Sequence, residues 1–102
     1  MYRLVYVTTA SKKEAENISR TLVEEKLIAC ANIFPIRSIY LWKEEIQKEE
    51  EVAMFIKTKA KLVDEVIKRV KELHSYEVPC IVSLTVEKGY IEFLKWIDES
   101  TK

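Results

Sequence analysis

The stretch LIACANIFPIRSIYLWKEEIQKEEEVAMFIKT, Leu27 to Thr58, decides the fold. Two apolar runs rich in β-branched and aromatic residues flank the polar tip KEE. They read as two strands of one hairpin, each longer than the usual strand of about 5–6 residues. LIACANIF opens the first of them and IRSIYLW resumes it after Pro35. Proline cannot donate to a ladder, so the strand is expected to break or bulge there, or to lie at a sheet edge. EEEVAMFIKT carries the return strand to Thr58. The acidic run Glu44, Glu45, Glu49, Glu50 and Glu51 reads as a solvated strand edge, with a lesser reading as oxygen ligands for divalent ions.

Outward from the hairpin, YRLVYVTT (Tyr2 to Thr9) is apolar on both faces and reads as an interior strand. SKKE follows it as a capping box, with Ser11 as N-cap and Glu14 reaching back. Ala15, Ile18, Leu22 and Val23 then recur at helical spacing to about Glu25. Downstream, Leu62, Val63, Val66, Ile67, Val70 and Leu73 mark a second amphipathic helix. HSYEVP (His74 to Pro79) ends that helix, and CIVSLTV forms a fourth strand. Gly89 turns the chain into a last helix expected to point Tyr90, Leu94 and Ile97 inward. The order β-α-β-β-α-β plus a terminal helix predicts an α+β, ferredoxin-like sandwich with strand order 4-1-3-2. Residues 1–102 are read as a single domain, long enough to bury roughly two thirds of their unfolded surface.

Composition narrows the function. With 17 basic and 17 acidic residues, the chain has no electrostatic footprint for nucleic acid or anionic lipid. No apolar run approaches the ~20 residues that span a bilayer, and the N-terminus reads as a strand rather than a signal peptide. A cytoplasmic protein without nucleic-acid or membrane partners is expected. Abundant Lys and Glu, scarce amides and one glycine are habits of heat-stable proteins, so a thermophile source is expected. In the expected strand order Cys30 and Cys80 stand three strand spacings apart, roughly 14 Å, too far for a disulfide within one chain.

Other proteins on this scaffold show their chemistry in residues that are missing here. RNA-recognition domains need an aromatic, glycine-rich third strand, and EEEVAMFIKT has one Phe and no Gly. Metallochaperones need paired thiols, and acylphosphatases an arginine-bearing anion loop, after the first strand; TTASKKE has neither. No nucleophile sits beside a base, so no enzyme is expected. His74 is the sole histidine. Its plain reading is a helix C-terminal residue, favourable to the dipole, at a corner set by Pro79. Its sharper reading is a copper ligand, since imidazole is the commonest metal-binding side chain and copper tops the affinity series. Glu72, Glu77 and Cys80 are its local partners, against the three or four ligands a specific site takes. Tyr40 and Trp42 near the hairpin tip read as packing between subunits. Lys57 and Thr58 close the third strand where an anion could sit.

Taken together, ACANIFPIRSIYLWKEEI, EEEVAMFIKT and ELHSYEVP resemble the CutA divalent-cation tolerance family, in order and spacing, over almost the whole chain. The resemblance implies a PII-like homotrimer with long strands paired across subunits, and a role in heavy-metal tolerance, copper above all. It implies weak binding of copper or another divalent cation, with His74 as the metal residue and no cofactor required. The family's other assigned ligands, a first-strand cysteine and a second histidine, fall at Val7 and Leu73. Ser75 replaces a usual proline, and WKEEI lacks the glycine frequent in the family's hairpin tip. Cys30, Asn32, Tyr40, Trp42, Lys57, Tyr76, Glu77 and Pro79 match family positions. A second reading is a PII-like sensor that takes a small anion or metabolite in an intersubunit pocket near Lys57, Tyr76 and Glu77.

Overall fold

A computed structural model describes residues 1–102. The elements follow the expected order: β1 (Tyr2–Thr9), α1 (Lys12–Glu24), β2 (Cys30–Trp42), β3 (Glu45–Lys59), a 3-10 turn (Ala60–Leu62), α2 (Val63–Leu73), β4 (Ile81–Val86) and α3 (Ile91–Ser100). The four strands form one antiparallel sheet in the order β2-β3-β1-β4. This is the strand order of the ferredoxin-like sandwich, so the two cysteines do lie on opposite edge strands or beside them. Both are free thiols.

Ser11 caps α1 and Glu14 reaches back as expected, but to the N–H of the residue before the N-cap. The Ser11 hydroxyl accepts from Glu14 N–H at 3.1 Å, while the Glu14 carboxylate accepts from Ala10 N–H at 2.9 Å. The cap fixes where α1 begins, and helical spacing then turns Ala15, Ile18 and Leu22 onto the sheet. There they meet Val5, Val7, Met54 and Ile56, with Val66 and Val70 arriving from α2. Thr58, fully buried at the end of β3, donates to the Leu27 carbonyl at 2.7 Å and so keeps its polar atom satisfied.

Two expectations need correction, a break in β2 at Pro35 and the inward stripe of α3. Pro35 does not interrupt β2, which runs unbroken from Cys30 to Trp42 with Pro35 in register opposite Val52. An edge strand tolerates the missing N–H, and β2 is an edge strand. In α3 only Ile97 is buried, while Leu94 is half-buried and Tyr90, preceding the helix, is 71% exposed. Gly89 is not in the left-handed region. Its bareness serves a close approach instead, because a Cβ there would lie 3.0 Å from a methyl group of Leu94.

Helices α1 and α2 cover one face of the sheet. Strand alternation puts Leu4, Tyr6, Phe34, Phe55, Val82 and Leu84 on the other face, where register sets Tyr6 beside Phe55 and Val82, and Leu4 beside Leu84. The Tyr6 and Phe55 rings lie 5.3 Å apart and those of Phe34 and Phe55 5.6 Å. Within the chain only the end of α3 reaches this face, where Asp98 accepts from Tyr2 and Lys59, and Val82 and Leu84 are exposed. The β2–β3 hairpin contributes to a longest dimension of 45 Å against 25 and 21 Å. Its tip exposes Ile39, Leu41 and Ile46 as well as Tyr40 and Trp42.

Candidate functional site

The HSYEVP corner gathers more polar chemistry than any other part of the chain named by the sequence. Helix α2 stops because His74 takes an extended backbone (φ −85°, ψ 142°). The turn folds the imidazole inward until its side chain has no exposed surface. Nε2–H donates to the Thr8 carbonyl at 2.7 Å, and Nδ1 accepts from Tyr76 N–H at 3.0 Å. A carbonyl can only accept and an amide N–H can only donate, so these partners fix the tautomer. The Tyr76 ring packs against the imidazole with centroids 4.8 Å apart.

Two carboxylates complete the corner. Glu14 leaves one oxygen on the α1 cap and lends the other to Ser75 N–H at 2.8 Å, 3.9 Å from His74 Nδ1. Burial pushes the Glu14 carboxyl up, but the N–H groups of Ala10 and Ser75 pull it further down, leaving it below the ordinary glutamate value. Glu51 accepts from the Tyr76 hydroxyl at 2.6 Å and is only 7% exposed. Burial first, and then the Glu51 bond, pushes the Tyr76 phenol well above its usual value, and Glu49 adds further negative charge. The Glu51 position corrects the expectation of a fully solvated acidic edge: Glu44, Glu45, Glu49 and Glu50 are exposed, but Glu51 is not. Alternation carried the signal, since Glu51 shares a face with Ala53 and Phe55. Glu14 and Thr8 were not legible as neighbours of His74, because they come from other elements.

The other predicted residues disperse. Lys57 bonds to Asn32 near the far end of β3, six residues from Glu51 and so roughly 20 Å along the strand. Within one chain it does not meet Tyr76, and Glu77, next to Tyr76 in the chain, is exposed. A pocket using Lys57, Tyr76 and Glu77 therefore has to be built from two chains. Tyr40 and Trp42 stand partly exposed at the hairpin tip, free to contact a partner. At the two further ligand positions implied by the resemblance, Val7 is fully buried in the core and Leu73 packs against it. The chain holds no group of three or more His, Cys, Asp or Glu side chains arranged to hold a metal ion. With both ring nitrogens engaged, His74 does not fit a copper site in this conformation. No helix is long and apolar enough to cross a membrane.

Comparison with known proteins follows this geometry closely. Residues 3–100 match the model of the CutA1 divalent ion tolerance protein family. The divalent-cation tolerance protein CutA of Archaeoglobus fulgidus is 45% identical over 102 residues, the full length of both chains. That of Pyrococcus horikoshii is 40% identical over 99 residues, 97% of each. A solved structure, described as the periplasmic divalent cation tolerance protein CutA from A. fulgidus, superposes with a TM-score of 0.98 over the whole of both chains at 45% identity. By sequence, topology and length, this chain belongs to the CutA1 divalent ion tolerance family.

Proposed function

We propose that this chain works as a non-enzymatic homotrimer in divalent-cation tolerance, copper included, within the cytoplasm. The outer sheet face carries the proposal. Leu4, Tyr6, Phe34, Phe55, Val82 and Leu84 form a continuous apolar surface, and contiguous patches of this kind mark interaction sites. Both sheet edges, β2 and β4, also lack a partner strand, and a closed ring of identical copies can cover edges and face together. Three is the number that the family resemblance implies. Contact with ions is weak and falls to exposed carboxylates such as Glu44, Glu45, Glu49 and Glu50, which suit hard or adventitious cations without a closed ligand set. The alternative of an anion pocket at Tyr76 is disfavoured by Glu51 and Glu49, which an anion there would face.

The test is growth at rising Cu(II) of a bacterial strain lacking its own relative and supplied with this chain. The parent raises the tolerated concentration; Phe55→Glu, which places a charge in the apolar face, does not. Failure of the parent to protect overturns the tolerance reading. Full protection by a monomeric Phe55→Glu protein removes assembly from it.

A further inference from the structure

We infer that His74 is a latch that holds Tyr76 in place on the sheet, and not an ion ligand. A neutral imidazole has one lone pair and one N–H. Here the lone pair on Nδ1 is taken by Tyr76 N–H and the Nε2 proton by the Thr8 carbonyl. The side chain has no exposed surface through which an ion could replace either partner. An ion at Nδ1 would displace the Tyr76 amide; an ion at Nε2 would need the other tautomer and would leave the Thr8 carbonyl bare. The two side chains that would extend a ligand set are Val7 and Leu73, both committed to the core.

What the latch secures is visible in the rest of the corner. Thr8 belongs to β1 and Glu51 to β3, so the chain from the Thr8 carbonyl through His74 and Tyr76 to the Glu51 carboxylate clips two strands together. Glu14 ties the same corner to α1 through Ser75 N–H. Glu51 shares its face with Phe55 and Phe34, the surface assigned above to subunit packing. His74 is thus a positioning residue: it sets the edge of that surface before a second copy arrives. This last role rests on the homotrimer reading, whereas the tautomer and the absence of coordination do not.

A single histidine makes the test unambiguous. In protein labelled with 15N, long-range correlation of the ring should show Nε2 protonated and Nδ1 bare. Both shifts should stay in place as Zn(II), a diamagnetic probe, is added to excess. Copper titrations of the parent and of His74→Ala should give the same heats. In His74→Ala the Tyr76 amide should exchange with solvent about tenfold faster or more, and His74→Asn, which restores an acceptor, should recover part of the protection. The opposite tautomer, or a coordination shift at one ring nitrogen that saturates at one zinc per chain, overturns the latch. If His74→Ala does not fold, the tautomer and zinc measurements on the parent still decide. A monomer by light scattering with the expected tautomer would sink the homotrimer and leave the latch standing.

Discussion

At the scale of single residues, the decisive contrast is between Glu51 and its exposed neighbours. A buried carboxylate is costly unless donors satisfy it, and the Tyr76 hydroxyl is the donor Glu51 has within the chain. Tyr76→Phe should therefore cost about 1–3 kcal/mol, the usual penalty for orphaning a buried polar group. The double variant Tyr76→Phe/Glu51→Leu should recover part of it, because both partners then leave together. Urea midpoints at pH 7 would show this, and a harmless Tyr76→Phe would refute it. Sequence alone identified His74 as a helix-ending residue at a corner. It could not identify Thr8, 66 positions away, as the acceptor that removes the ring from metal chemistry. Hydrogen-bond partners across elements depend on packing, which no local pattern encodes.

At the scale of elements, the hairpin was legible because its apolar residues extend over two unusually long runs. Its turn was legible only as polar. Both Lys43 and Glu44 adopt positive φ, 49° and 68°, in the two-residue turn that normally selects Asn-Gly. The combined variant Lys43→Asn/Glu44→Gly should stabilise the protein by about 1 kcal/mol, the strain relieved exceeding the added chain entropy of glycine. An unchanged denaturation midpoint would contradict this. Helix α1 offers a pH test through Glu14. Its folded pKa is depressed, so its contribution is present above the unfolded value and lost as pH falls through the folded one. Glu14→Gln should cost about 1 kcal/mol near neutrality, as for a lost cap, and the gap to the parent should shrink below the ordinary value of 4.5. A gap independent of pH would show that the carboxylate charge plays no part. Helix α3 was misread at Tyr90 because helical spacing assigns a stripe, whereas this helix buries only Ile97.

At the scale of the whole molecule, the topology followed from element order alone, since short connections and antiparallel pairing leave few alternatives. The apolar outer face was harder to see. YRLVYVTT reads as an interior strand and β1 is one, between β3 and β4, yet only Val5, Val7 and Thr9 are fully buried. Tyr6 and Leu4 face outward, away from α1 and α2, and are only half-buried. That mismatch between a strand written for burial on both sides and a sheet covered on one is the central physical argument for assembly. The most direct test is the mass in solution, by light scattering on untagged protein at micromolar concentration. The account predicts three times the 12.0 kDa chain, falling toward one chain in Phe55→Glu. A parent that runs as a stable single chain, with its aromatic face open to water, would contradict it.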